Sequence, residues 1–124
     1  IRELAKTTSA CGKVVFASGT KFPLDSAAPQ FQPGFANNAF IFPGVARGTI
    51  ACKASSVTSG MFLAAAERLA KEVTREDLLV GSVFPKTIDK LSDVARAVGV
   101  AVAERAEKDG VARIESGGNA FFSV

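Results

Sequence analysis

Asn37 and Asn38 stand side by side in Pro-Gly-Phe-Ala-Asn-Asn-Ala-Phe-Ile-Phe-Pro-Gly, residues 33–44. A carboxamide both donates and accepts hydrogen bonds, so a second one beside a capping Asn could present its amide to something else. The same residues have a plainer use. Each Pro-Gly pair marks a turn, because proline presets φ and glycine accepts the positive φ that follows. An Asn ahead of an apolar run is a good helix N-cap. One Asn suffices for a cap, which leaves its neighbour for a ligand, and the residues alone do not say which is which.

Most other site chemistry is excluded. The chain has no His, Tyr or Trp, which removes Ser-His and Cys-His nucleophiles and a phenolic acid. Cys11 and Cys52 lie 41 positions apart with no CxxC, so a zinc site is not expected and both thiols are predicted free and buried. Glu76 and Asp77 are neighbours on a predicted helix, pointing about 100° apart, and serve its capping and solvation rather than paired acid/base work. No GxGxxG or P-loop pattern occurs. The net charge is +3, but the basic residues are scattered from Arg2 to Arg113, without the aromatic-interleaved stripe that nucleic acid requires. No apolar run reaches the roughly 18 residues of a membrane span, and no signal-peptide pattern is present. An intracellular compartment, cytoplasm or organellar matrix, is therefore expected.

The elements that must hold the Asn pair follow from periodicity. With 124 residues, nearly half of them apolar, the chain suits one globular domain or part of one. It does not begin with Met, and residues 1–6 resemble a helix end, which suggests a processed product or a fragment. Val14, Val15 and Phe16 within residues 13–17 predict a strand buried on both faces, as in a parallel sheet. Ser18-Gly19-Thr20 follows it, at the strand end where open α/β sheets bind ligands. Residues 21–33, with Pro23, Pro29 and Pro33, predict a long loop pinned by Phe22 and Phe31.

Helices dominate the remainder. One begins at Asn38 and restarts after Pro43-Gly44 as a close-packed inner helix over residues 45–53. A second covers 61–73, with Phe62, Ala65, Ala66, Leu69 and Val73 on its apolar face and Glu67 paired with Lys71 on the other. Thr74 caps a short third. The longest covers 88–109, with Leu91, Val94, Ala95, Val98, Val102 and Ala106 inward and Gly110 closing it. Residues 115–124 receive no element.

With these elements placed, the chain resembles the C-terminal part of malic enzyme over residues 12–114. Phe16-Ala17-Ser18-Gly19-Thr20 resembles the family's Phe-Ala-Ser-Gly-Ser. Residues 33–44 resemble its Pro-Gly-Gln-x-Asn-Asn-x-Tyr-Ile-Phe-Pro-Gly. Val57-Thr58 with Met61-Phe62-Leu63-Ala64-Ala65-Ala66-Glu67 resembles a later helix start, and Val83-Phe84-Pro85 an Ile-Tyr-Pro-Pro junction. Phe35 stands where the family has Gln, Phe40 where it has Tyr, and Thr20-Lys21-Phe22 where it has Ser-Pro-Phe.

The resemblance implies an α/β fold: the C-terminal portion of a Rossmann-like nucleotide-binding domain, mostly helical with a short buried parallel strand. Residues 1–12 would be a helix end and linker, 13–114 the domain part and 115–124 a tail. It implies oxidative decarboxylation of malate to pyruvate and carbon dioxide, with NAD or NADP and magnesium or manganese. Asn37 and Asn38 would then contact substrate and cofactor, with Ser18 and Gly19 as further cofactor contacts. The family's catalytic Tyr and Lys, its metal carboxylates and its glycine-rich loop all precede the matched part. The isolated chain is thus expected to be inactive, completed by the rest of a parent enzyme that forms a homo-oligomer. A malolactic enzyme segment and a non-catalytic helical binding module are the alternatives.

Overall fold

The computed structural model describes residues 15–20, 32, 34–85 and 90–114. The predicted helix end over 1–6, Cys11, the loop rings Phe22 and Phe31, Ile88 and the tail lie outside these residues. The chain divides into two compact units, Ile1–Asn37 with Val73–Lys86, and Asn38–Glu72 with Thr87–Val124.

In the first unit, strand β1 (Ala17–Ser18) pairs in parallel with β2 (Gly34–Phe35), Ala17 opposite Gly34 and Ser18 opposite Phe35. The amide of Gly34 donates to the Phe16 carbonyl at 3.3 Å and that of Ala36 to the Ser18 carbonyl at 2.9 Å, extending the ladder at both ends. The strand thus sits later than the predicted residues 13–17. Its two residues are half-buried, and Val15, ahead of it, is 65% exposed. A strand is defined by its partner, and the only partner among the described residues reaches just these positions.

Gly34 is correspondingly a strand residue and not the second residue of a turn. Gly34 is buried in a strand because a Cβ there would lie 3.2 Å from both the Phe84 ring and the Val83 amide. The chain leaves this unit for helices α1 (Phe42–Ala51) and α2 (Ser59–Ala70) and returns to it as helix α3 (Arg75–Leu79). Thr74 caps it as predicted: its hydroxyl accepts from the Asp77 amide at 3.2 Å, and the Asp77 carboxylate accepts from the Thr74 amide at 3.0 Å.

The second unit is helical among its described residues. A 3-10 turn (Asn38–Phe40) leads into α1 (Phe42–Ala51), α2 (Ser59–Ala70) and α4 (Leu91–Lys108). Pro43-Gly44 lies inside the first turn of α1 and does not break it. Proline is accepted there because its missing N–H would have had no helical partner.

Gly44 and Gly48 face α4 so closely that a Cβ at 44 would fall 2.5 Å from Val98 Cβ, and one at 48 would fall 2.5 Å from the Gly99 carbonyl and 2.8 Å from Val102 Cβ. Backbone meets backbone at this crossing. Phe40, Val45, Cys52, Met61, Ala65, Leu69, Val94, Val98, Val102 and Ala106 fill the core around it, much as the spacing of the last helix predicts. Gly110, at φ 70°, closes α4, and the Val111 amide donates back to the Ala106 carbonyl at 3.0 Å.

Helix α2 departs from expectation on both faces. Met61, Ala65 and Leu69 are buried, whereas Phe62 is 48% exposed and Ala66 is exposed too. The ion pair on this helix joins Arg68 to Glu72 at 2.6 Å in place of the expected Glu67–Lys71. Thr58 caps it, its hydroxyl oxygen accepting from the Met61 amide at 3.1 Å while the hydroxyl proton goes to the Asp109 carboxylate just beyond α4. Arg105 Nε donates to the other oxygen of Asp109 at 2.7 Å. Glycine at 60 admits this clasp, since a Cβ would lie 2.5 Å from the Arg105 guanidinium and 2.6 Å from Asp109 Oδ2. The Thr58 hydroxyl first, and then Arg105, hold the Asp109 carboxyl below the usual carboxylate range.

Two outcomes follow from this packing. Gly48→Val should cost roughly 1–3 kcal/mol through overpacking against Gly99 and Val102, read from the urea unfolding midpoint, whereas Arg47→Ala on the exposed side should stay within about 0.5 kcal/mol. Because the folded-state pKa of Asp109 is depressed, its stabilisation is present above the unfolded carboxylate pKa of about 4 and lost as pH falls through the folded value. The gap in unfolding midpoint between wild type and Asp109→Asn should accordingly be open at pH 7 and close below about pH 4.

Candidate functional site

Parallel pairing brings the carboxyl ends of β1 and β2 side by side, with Ser18-Gly19-Thr20 leaving one strand and Ala36-Asn37 leaving the other. Each backbone arm is fixed by its neighbour. The Ser18 carbonyl accepts from the Ala36 amide at 2.9 Å, and the Ser18 hydroxyl oxygen accepts from the Thr20 amide at 3.2 Å, folding the chain over at the strand end. That leaves the hydroxyl proton of Ser18 without an acceptor among the described residues. Gly19, Thr20 and Asn37 are exposed.

Three of the four residues singled out in the sequence, Ser18, Gly19 and Asn37, thus share one rim of one unit. Asn38 begins the other unit as the first residue of the 3-10 turn. Its carbonyl accepts from the Ile41 amide at 3.1 Å, and Phe40, only 3% exposed, anchors the turn in the core. The Asn38 side chain is exposed and makes no hydrogen bond among the described residues. Neither Asn caps α1: the N-cap is Ile41, with no side-chain hydrogen bond. With proline in the first turn, one fewer amide needs a cap. The expected cap belonged to a helix beginning at Asn38, where the chain forms the 3-10 turn Asn38–Phe40.

The rim's chemistry is that of positioning. Residues 18, 19, 20, 36 and 37 carry hydroxyls, a carboxamide and backbone but no ionisable side chain, so they can hold and orient a polar ligand and cannot exchange a proton with it at neutral pH. Among the described residues a Cβ at Gly19 would meet only the Ala36 carbonyl, at an ordinary 3.6 Å, and Gly19 is not among the described residues with positive φ. Thr20 adds a hydroxyl to the same rim that was not singled out, although its place in the Ser-Gly-Thr triplet was the available signal.

Among the described residues no three His, Cys, Asp or Glu side chains gather to hold a metal ion. The magnesium or manganese that the resemblance implies for the longer enzyme has no fitting donor set among these residues. Cys52 is fully buried and unbonded to another sulfur, as predicted. No described helix is long and apolar enough to cross a membrane.

A parallel strand pair whose carboxyl ends carry exposed amides and hydroxyls is the arrangement at which open α/β sheets bind ligands. The family model described as "Malic enzyme, NAD binding domain" matches residues 3–107. The chain is 34% identical over 104 residues to the NADP-dependent malic enzyme of Dictyostelium discoideum, covering 83% of this chain and 19% of that protein. It is 36% identical over 104 residues to the mitochondrial NAD-dependent malic enzyme of Ascaris suum, with 83% and 16% covered. With NADP-dependent malic enzyme 3 of Arabidopsis thaliana it shares 42% identity over 92 residues, 71% and 16% of the two chains. The chain belongs to the malic enzyme family, within its Rossmann-like NAD-binding domain, and spans less than a fifth of the length of these relatives.

Proposed function

We propose that this chain is the later segment of the NAD(P)-binding domain of a malic enzyme, with residues 13–114 as the domain part, and that it holds malate and the nicotinamide in an oxidoreductase completed by further polypeptide. The observation that carries this reading is that Ser18, Gly19 and Asn37 sit together at the carboxyl end of a parallel strand pair, the ligand side of such sheets. The residues fit a dinucleotide chemically. A nicotinamide ring bears a carboxamide, for which the Asn37 and Asn38 carboxamides are matched donors and acceptors, and the free Ser18 proton can be donated to a ligand oxygen. Gly19, which packing among the described residues does not demand, leaves room for a ligand to approach the backbone.

When bound, NAD or NADP accepts the hydride released from C2 of malate, which is chemistry that belongs to the cofactor. The part assigned to this chain is orientation. The NH2 groups of Asn37 and Asn38 donate to a malate carboxylate or to the nicotinamide carbonyl, turning the C2 hydrogen towards the ring. Such positioning can supply several kcal/mol of a barrier. Proton transfer and the ligands of the divalent ion fall to residues outside this segment. The compartment follows the relatives, whose names include mitochondrial and chloroplastic forms, as cytoplasm or organellar matrix.

The double variant Asn37→Ala, Asn38→Ala in the longer protein should lower malate-dependent NAD(P)H formation by roughly a hundredfold, with an unchanged unfolding midpoint because both side chains are exposed. Wild-type turnover in that variant would remove the assigned role.

A further inference from the structure

Asp77 and Ser82 are the polar side chains most deeply buried among the described residues, 8% and 2% exposed. Asp77 is accounted for by the cap of α3. A buried hydroxyl costs free energy unless it is hydrogen-bonded, and that of Ser82 is bonded twice to one residue. It donates to the Phe84 carbonyl at 2.7 Å and accepts from the Phe84 amide at 3.4 Å. The Ser82 amide donates in turn to the Asp77 carbonyl of α3 at 2.9 Å, the chain having reversed at Gly81 with φ 84°. Ser82 therefore ties the turn Ser82-Val83-Phe84 to the end of α3.

That turn lies against β2. The Gln32 amide donates to the Val80 carbonyl at 2.7 Å, and a Cβ at Gly34 would stand 3.2 Å from both the Val83 amide and the Phe84 ring. Glycine in a strand marks such a close approach of backbone. Strand β2 is thus held by the ladder to β1 and also by residues 80–84, all within the first unit. Two residues of strand have few bonds of their own to fix where the strand points. What presses on Gly34 consequently bears on Ala36 and Asn37, two and three residues further along.

We infer that Ser82 is a positioning residue for ligand binding: through the Phe84 turn it seats β2 at Gly34, and so sets where the Asn37 carboxamide stands relative to Ser18 and Gly19. The inference rests on the reading of Asn37 as a ligand contact. Ser82 does not itself touch ligand, being buried where Gly19, Thr20 and Asn37 are exposed. It acts by placement, and a misplacement of about 1 Å in an orienting group can cost roughly a hundredfold in rate.

Ser82→Ala in the longer protein removes the hydroxyl with little change of volume. Malate-dependent NAD(P)H formation should fall by at least about tenfold. In an Asn37→Ala background the same substitution should cost nothing further, because a residue that acts through Asn37 then has nothing to position. Amide exchange, read by mass spectrometry, should speed by at least about tenfold in peptides covering residues 34–37 and stay unchanged in α4. Gly34→Ala presses on Val83 and Phe84 from the strand side and keeps the Ser82 hydroxyl; it should show the same dependence on Asn37, and it replaces Ser82→Ala if that variant does not fold. Equal losses of activity with and without the Asn37 side chain, or exchange over residues 34–37 as slow as in wild type, would overturn the inference. Wild-type turnover in Asn37→Ala, together with faster exchange over residues 34–37 in Ser82→Ala, would support the seating of β2 by Ser82 while removing the proposed function.

Discussion

The crossing of α1 and α4 is the constraint on which the helical unit depends. Gly44 and Gly48 present bare backbone to Val98, Gly99 and Val102, and no side chain larger than hydrogen fits at either position without displacing the partner helix. Glycine inside a helix costs roughly 0.5–1 kcal/mol relative to alanine. What offsets that cost is close approach, which brings Val45, Val98 and Val102 into one tightly packed core with Met61 and Cys52. Every other helix position in this unit is set relative to that line. The Thr58–Asp109–Arg105 clasp then ties the start of α2 to the end of α4, so that the second helix pair is held by directed hydrogen bonds as well as by its apolar face.

The same crossing reaches the candidate site through a short piece of chain. Phe40 is buried in this core and the Ile41 amide bonds the Asn38 carbonyl, so the backbone that carries Asn38 is held by the helices. Asn37, one residue earlier, follows β2 and is held by the strand pair through Ala36 and Ser18. Each carboxamide thus has its own rigid support, while neither side chain is spent on capping α1. Fixed backbone with exposed amide groups is what orientation of a ligand requires.

The helices were largely legible in the sequence, because burial at 3.6-residue spacing leaves a local record. The inward residues of α4 and the Thr74 cap are the clearest cases. The strands were less so. Gly34–Phe35 lay hidden behind a Pro-Gly turn signal, since parallel pairing is non-local and its partner stands far back in the chain. The split of α2 was misjudged because both of its sides are apolar: Phe62 and Ala66 satisfy the period as well as Met61 does, and only the packing decides between them. Asp109 gave no sign of its role, as its partner Thr58 lies 51 residues away. Within the site, Ser18 and Gly19 could be placed at a strand end from the apolar run before them, whereas their grouping with Asn37 came from the family resemblance, because β2 left no local signal.

The central claim is that the Asn37-Asn38 pair holds ligand for an enzyme of the malic enzyme family. A crystal structure of the longer protein with bound dinucleotide and malate, or a malate analogue, tests it most directly. The account predicts at least one of the two carboxamides within about 2.7–3.2 Å of a polar atom of substrate or nicotinamide. Both ligands bound with neither carboxamide within reach, directly or through one water, would contradict it.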